Sequence, residues 1–353
     1  MIHAIIMAGG KGTRFWPLSR AVKAKQFLQI IGNRTLLEHT ISRLHPLTKK
    51  ENTWIVGNHA QKKFFASLKG TVPTQQILLE PCGRNTAPCI GWAALEAFNK
   101  DPDATMIVLP ADHFIDDTKR FRQTLKAATD HIAKHPDRLV TIGIQPTFPH
   151  TGYGYIQAED NQEITKVRAF KEKPDTKTAQ EYINSKTFFW NAGIFIWKAA
   201  TILDLIKTHL PTIYNGLQEI TTLNNQKLSA KSHTEALSKI YHALESISVD
   251  YGILEHASDK IDMIHANFDW NDIGNWPALE DFWPKDANQN ATKGELISLN
   301  SHRNLVHSPH KIVALIDMDD IIVIDTEDAL LIAPKSSDQK IKHLYDELPG
   351  HLQ

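Results

Sequence analysis

The sequence predicts an α/β protein in which a doubly wound mixed sheet is followed by a small C-terminal unit of β-roll or β-helix type. Three observations predict it. Residues 1–7 form a short apolar strand that empties into Ala8-Gly9-Gly10-Lys11-Gly12-Thr13-Arg14, the strand-to-loop step from which α/β proteins build a phosphate cradle, since glycines let backbone N–H groups close on an anion. Apolar runs then alternate with stretches of helical periodicity as far as Ile144. Beyond about Asp286 the helical patterns stop and short apolar strands recur. At 353 residues the chain suits one large domain with a small appendage. The division is placed at 1–284 and 285–353.

Taken in order, Thr35 opens a helical pattern through Leu36, Leu37, His39, Ile41 and Leu44 that Pro46 closes. Residues 53–57 read as a strand, 61–68 as a helix and 75–79 as a strand. Asn85 is placed to cap a helix with apolar Ile90, Ala93, Ala94 and Ala97. Residues 105–109 are continuously apolar, as in a parallel strand covered on both faces, and Pro110-Ala111-Asp112 follows. Phe121, Leu125, Ala128 and Ile132 mark the next helix, and residues 139–144 the next strand. Ligands of such sheets lie at the carboxyl ends of the strands. From Gly152 the rhythm becomes hairpin-like, with strands at 152–156, 164–170 and 188–197, expected to form an antiparallel piece closing over the pocket. Helices are expected at 199–209 and 232–244. The last strands fall at 296–299, 311–316, 321–325 and 329–332, with internal similarity too weak to define a repeat. A terminal helix with Ile341, Leu344 and Leu348 on one face is expected to pack back on the chain or against a partner subunit.

Composition narrows the function. With 39 basic against 40 acidic residues, no overall field recruits nucleic acid or an anionic membrane, so phosphate recognition must be local. The start has no signal-peptide pattern, and aspartates interrupt the apolar region near the end, so no membrane partner is expected. The two cysteines, Cys82 and Cys89, lack metal or redox spacing and fit a reducing, cytoplasmic setting. None of the 18 histidines, His113 included, stands in a metal or triad arrangement. No nucleophile elbow or Cys–His signature occurs.

The glycine loop is neither of two common phosphate-binding motifs. Lys11 is followed by Gly12 rather than Ser or Thr, and Phe15 stands where a dinucleotide fingerprint needs its third glycine. Gly10-x-Gly12-Thr13-Arg14, then Trp16-Pro17-Leu18-Ser19, then Lys25 in Lys25-Gln26-Phe27-Leu28, does fit a nucleotidyltransferase signature. On these residues the chain resembles the sugar-phosphate nucleotidyltransferases, in particular the mannose-1-phosphate guanylyltransferases (GDP-mannose pyrophosphorylases). The family usually has proline where this chain has Ala24. The resemblance implies a Rossmann-like nucleotide-diphospho-sugar transferase fold. It covers about residues 1–284 and extends more loosely beyond.

The resemblance also implies roles. An aspartate just past a strand is by itself more often a turn residue. In the family, however, the aspartate after this strand and the one in the Trp-Asn-Asp-Ile-Gly motif hold the metal, and Asp112 and Asp272 match; Mg2+ takes one or two carboxylates plus phosphate and water. Arg14 and Lys25 are expected to hold the β- and γ-phosphates beside backbone from Ala8, Gly9, Gly10, Lys11, Gly12 and Thr13. In Glu80-Pro81-Cys82-Gly83-Arg84-Asn85, a carboxylate at Glu80 answers guanine's N1–H and 2-amino donors better than adenine's edge. The plainer alternative makes Glu80 and Arg84 solvated charges and Asn85 a helix cap. Glu172 and Lys173 match the family's Glu-Lys-Pro motif, carboxylate to sugar and lysine to its phosphate. Asn191 and Gly193 match its sugar-contacting turn, with Gly152 and Tyr153 completing the wall.

The implied reaction joins GTP and mannose 1-phosphate to give a GDP-sugar and pyrophosphate. A phosphate monoester with a second pKa of about 6 needs no general base, so positioning and electrostatics carry the chemistry, with Lys173 aligning the attacking phosphate. Other readings are another sugar 1-phosphate or nucleoside triphosphate, or an inactive sugar-nucleotide-binding subunit. A nicotinamide-dependent enzyme is disfavoured by the missing glycine. A homodimer is compatible with the terminal helix. Longer, bifunctional family members carry an isomerase domain for which 353 residues leave no room, so isomerase activity is not expected.

Overall fold

The apolar runs of the N-terminal half pair in parallel. In the computed structural model of this chain, which describes every residue except Lys69 and Glu172, β1 (Ile2–Ala8), β2 (Thr53–Asn58), β3 (Ile77–Glu80) and β4 (Thr105–Pro110) lie in the order β3-β2-β1-β4. Among the described residues the sheet has nine strands. It continues through β5 (Leu139–Ile144), β6 (Tyr155–Ala158), β7 (Ile164–Lys171), β8 (Phe188–Lys198) and β9 (Ile261–His265), giving β4-β8-β5-β9-β7-β6. The hairpin-like segments therefore do not form a separate piece. β8 runs antiparallel in the middle of the sheet, bonded to β4 and β5, because Phe195, Ile196 and Trp197 are apolar enough to be buried there.

Helices α1 (Leu36–Leu44), α2 (Lys62–Phe65), α3 (Thr86–Lys100) and α4 (Thr118–Lys134) punctuate the first half. The 61–68 pattern yields only the single turn α2, flanked by 3-10 turns. Thr35 and Glu38 close a capping box: the Glu38 N–H donates to Thr35 Oγ1 at 3.1 Å while Glu38 accepts from the Thr35 N–H at 2.8 Å. Helix α3 packs small faces (Ala87, Ala93, Ala94, Ala97) into the core that holds Trp54, Val56, Met106 and Val108. Beyond the sheet lie α5 (Thr176–Ser185), α6 (Ala199–His209), α7 (Pro211–Asn224) and α8 (Ala230–Ala243). Helices α5 and α7 and strand β9 carry no signal strong enough to separate them from their neighbours in the sequence; α7 begins at Pro211, one residue past Leu210 at the end of α6, as a proline at N1 permits.

The chain falls into two units that cut across a linear division at 284/285. The first comprises Met1–Gly9, Ile41–Ala111 and Ile115–Trp270, and the second Gly10–Thr40, Asp112–Phe114 and Asn271–Gln353. The physical reason is an aromatic core in the second unit. Phe15, Trp16, Trp276 and Trp283 are buried with Leu28, Ile30, Leu305, Ile324, Ile341 and Tyr345, and the Trp276 and Trp283 indoles donate to the carbonyls of Trp16 (3.1 Å) and Ile30 (2.7 Å). The early loop thus shares its core with the last residues of the chain.

That unit's sheet has the order β10 (Ala291–Leu299), β11 (Leu305–Ile316), β12 (Ile321–Asp325) and β13 (Leu330–Pro334); the first three are parallel and the last antiparallel. Helix α9 (Lys340–Glu347) closes it. Stacked turns make it β-helix-like. The side chain of buried Asn290 accepts from Asn304 N and Nδ2 at 2.9 and 3.0 Å, and Asn304 in turn accepts from Ile321 N at 3.0 Å and donates to Met318 O at 2.8 Å. Ala291 pairs with Leu305 and Leu305 with Ile322. The rungs thus differ in length, which hides the repeat in the sequence. Among the described residues no helix is long and apolar enough to cross a membrane.

Replacing Asn304 with alanine orphans several buried polar groups, so Asn304→Ala is expected to destabilise the second unit by about 3 kcal/mol. Urea unfolding followed by tryptophan fluorescence, to which Trp276 and Trp283 contribute, measures it.

Candidate active site

Because β1, β3 and β4 are parallel, their carboxyl ends place Gly9, Glu80 and Ala111 along one edge of the first unit's sheet. Glu80 is only 3% exposed. Its Oε1 accepts a 2.5 Å hydrogen bond from the Tyr241 hydroxyl, and a Cβ on Gly9 would stand 2.8 Å from its Oε2. A side chain at position 9 would therefore have to displace the Glu80 carboxyl. Burial pushes Glu80 up to about 7, against the lowering effect of the Tyr241 bond. Arg84 donates to the carbonyl of His242 at the end of α8. The Asn85 side chain accepts from Thr86 N at 2.9 Å at the start of α3, with a φ of 64°. The same edge thus combines a buried acid with a pair of structural anchors.

Farther along the sheet, Tyr155 pairs with Lys171 on one side and Trp190 on the other. Tyr153 stacks on His150, with centroids 3.7 Å apart, and meets Trp190 and Trp270 edge-on at 5.1 and 5.3 Å. The Gly152 N–H donates to His150 Nδ1 at 3.0 Å. Asn191 accepts from Gly193 N at 3.0 Å and donates through Nδ2 to Asp250 Oδ1 at 3.0 Å. Lys173 is exposed two residues beyond β7, with a φ of 38°. Glu172 lies outside the described residues.

The second unit holds a cavity of about 300 Å³ lined by Gly12, Thr13, Arg14, Phe15, Lys25, Asp112, His113, Asp272, Gly274 and Lys342. Its two carboxylates come together through an antiparallel pair in which Phe114 N donates to Asn271 O at 2.8 Å and Asn271 N to Phe114 O at 3.0 Å. The buried Lys25 ammonium donates to Asp112 Oδ2 at 2.8 Å and to Asp272 O at 2.7 Å. It also sits 5.6 Å from the Phe15 ring centroid. Ala24, fully buried, has a φ of −71°, within proline's own range, so the backbone enters Lys25 as it would from a proline. Gly12 has a φ of 64°, and a Cβ there would stand 2.4 Å from Lys25 Cβ. Ile273, buried and β-branched, is held at a φ of 45° while its N–H donates to Asn271 Oδ1 at 2.7 Å. Such strain persists only where the surroundings dictate it. Burial pushes Asp112 up, but the Lys25 ammonium and His113 more than offset it and hold the carboxyl below its usual range.

The carboxylates of Asp112 and Asp272 line one cavity and offer hard oxygen donors, which suit a divalent cation. Among the described residues no group of three or more His, Cys, Asp or Glu is placed to hold a metal. A cation bound here would complete its shell with phosphate and water, as Mg2+ does. Lys11 is exposed, and the Gly10 carbonyl accepts from Gln26 Nε2 at 3.2 Å. Tyr241, Asp250 and Lys342 escape sequence reasoning because each is an ordinary residue of a helix or turn until packing sets it beside Glu80, Asn191 or the cavity. His113 also lines that cavity.

The nucleotidyl transferase family pattern matches residues 3–289, and the MannoseP isomerase/GMP-like beta-helix domain pattern matches residues 294–348. The chain is 37% identical over 360 residues to the alginate biosynthesis protein AlgA of Pseudomonas aeruginosa, covering 98% of this chain and 71% of that protein. It is 35% identical over 364 residues to the mannose-1-phosphate guanylyltransferase of Salmonella montevideo, covering 99% and 74%. A structure from Thermus thermophilus described as a mannose-1-phosphate geranyltransferase is similar at a TM-score of 0.86 and 31% identity, covering 98% of both chains.

The Lys25–Asp112 pair predicts a pH-dependent stability. A carboxyl whose folded pKa is depressed contributes stability that is present above its unfolded value and lost as pH falls through the folded one. Lys25→Met is therefore expected to cost most at neutral pH, with the gap to the parent narrowing below about pH 4. Urea titrations between about pH 3 and 7 check this, and a gap that stays constant with pH contradicts it.

Proposed function

The chain belongs to the nucleotidyl transferase family, and from that premise we propose that it transfers GMP from GTP to α-D-mannose 1-phosphate, releasing pyrophosphate. The observation that carries the reading is the second unit's cavity, where Arg14 and Lys25 face the carboxylates of Asp112 and Asp272. Similarity to the Salmonella montevideo enzyme over 99% of this chain supports the substrate pair.

Glu80, ionised, accepts from guanine N1–H and the 2-amino group, and Arg84 and Asn85 shape the strand-to-helix turn beside it. Tyr153, Gly152, Asn191 and Gly193 contact the sugar, with Glu172 on its hydroxyls, and Lys173 aligns its phosphate. Backbone from Gly10 to Thr13 and the Arg14 guanidinium hold the β- and γ-phosphates. A phosphate oxygen of mannose 1-phosphate forms a bond to the α-phosphorus as the bond to the bridging oxygen of pyrophosphate breaks in line. The sugar phosphate is already ionised, so no general base is needed. Enzymes of this kind generally use a divalent metal; here it is proposed to be Mg2+ held by Asp112 and Asp272, where its charge offsets that of the phosphates. Cys82 and Cys89 are free thiols, in keeping with a cytosolic protein.

Pyrophosphate release across four nucleoside triphosphates and several sugar 1-phosphates tests the reading: GTP with mannose 1-phosphate should exceed every other pair, and a different best pair overturns it. Asp272→Asn should lower turnover at saturating Mg2+ by at least about a hundredfold with an unchanged circular dichroism spectrum. Lys173→Ala should raise KM for mannose 1-phosphate far more than KM for GTP.

Glu80 adds a pH signature. Its folded pKa of about 7 lies above the ordinary value of 4.5, so its ionisation opposes folding as pH rises through that interval. Binding guanine recovers the charge in hydrogen bonds. GDP-mannose, whose diphosphate does not titrate near neutrality, should bind about tenfold more weakly at pH 6 than at pH 8. Isothermal calorimetry should show Glu80→Gln weakening and flattening that profile.

A further inference from the structure

Helix α9 is the last helix of the chain, yet its Lys342 lines the same cavity as Arg14, Lys25, Asp112 and Asp272. The placement follows from packing. Ile341 and Tyr345, four apart, are buried in the core with Phe15, Trp16 and Trp276. One residue on from Ile341, about 100° around the helix, the side chain falls on the flank nearest the glycine loop. The tail beyond the helix is tied down as well, since Trp16 Nε1 donates to Leu352 O at 3.0 Å and Gln353 Nε2 donates to Tyr345 O and Leu348 O at 3.1 and 2.9 Å. The helix is thus held against the loop at both ends.

The charges in the cavity give this placement a meaning. Lys25 is committed to Asp112 and to the Asp272 carbonyl, so its charge is largely spent on the protein's own oxygens. The Lys342 ammonium makes no hydrogen bond or ion pair among the described residues, and neither does the Arg14 guanidinium. A lysine facing a cavity lined by two carboxylates yet paired with neither is available to an incoming anion. It is a point charge with three donors, suited to non-bridging phosphate oxygens.

We propose that Lys342 is a binding residue for the pyrophosphoryl group, contacting the β- and γ-phosphates of GTP in the forward reaction and inorganic pyrophosphate in the reverse. The C-terminal helix is then part of the phosphate site. This rests on the guanylyltransferase reading above.

The test compares the full-length parent with Lys342→Ala, Lys342→Gln and Lys342→Arg in both directions. Losing one charge-assisted phosphate contact should raise KM for pyrophosphate and for GTP about tenfold in the alanine and glutamine variants. KM for GDP-mannose and for mannose 1-phosphate should stay within about twofold, and Lys342→Arg should recover most of the loss. An alanine variant with an unchanged KM for pyrophosphate overturns the proposal; so does one that raises all four KM values alike without rescue by arginine, because that is the mark of a displaced helix. Calorimetric titration of parent and alanine variant with magnesium pyrophosphate alone separates the two readings. If the parent turns over neither GTP nor mannose 1-phosphate, the guanylyltransferase reading fails, while about tenfold weaker pyrophosphate binding by the variant still upholds the lysine and equal binding overturns it.

Discussion

The second unit is organised around one ammonium group. Lys25, almost wholly buried, is bonded to the carboxylate of Asp112 and the carbonyl of Asp272. Each partner comes from a segment remote in sequence, one just past β4 and the other just past Trp270. Removing a charge from water is costly unless it is paired and hydrogen-bonded, so the lysine is stable there only while both segments are in place. Gly12, Ala24 and Ile273 follow from the same constraint. Gly12 leaves room for the lysine's Cβ, Ala24 takes a proline-like φ ahead of it, and Ile273 accepts a strained φ that keeps Asn271 and Asp272 in register with Phe114.

The two units treat their acids in opposite ways. Glu80 has burial and a tyrosine hydroxyl but, among the described residues, no paired cation, so its proton is held to about pH 7. Asp112 is only half-buried and has Lys25 on one oxygen, and it stays ionised. A carboxyl of raised pKa close to neutrality becomes a good acceptor when a ligand brings two donors. A carboxylate held ionised offers a cation a ready ligand. The split is the environmental one by which buried acids acquire different chemical tasks.

The C-terminal strands share an aromatic core with the early glycine loop. Trp16, Trp276 and Trp283 carry the loop and the last helix on one apolar surface, while the Asn290–Asn304 stack fixes the turns of the β-helix-like sheet. Stability of that sheet and placement of Arg14, Lys25 and Lys342 are therefore linked within the unit.

The sequence alone determined the β/α rhythm, the parallel N-terminal strands, the strand-to-glycine loop and the residues matching a nucleotidyltransferase signature. These are local signals, set by side-chain periodicity, by glycine where a Cβ cannot fit, and by short motifs. Tertiary structure alone decided that β8 lies within the sheet, that β9 joins it, and that the loop's core is made with the end of the chain. Those outcomes depend on which apolar faces cover one another across long separations, and no window of sequence contains both partners. The same holds at the candidate site. Asp112, Asp272 and Glu80 were legible because each follows a strand or stands in a motif. Tyr241, Asp250 and Lys342 were not, because their significance lies in the group that packing places opposite them.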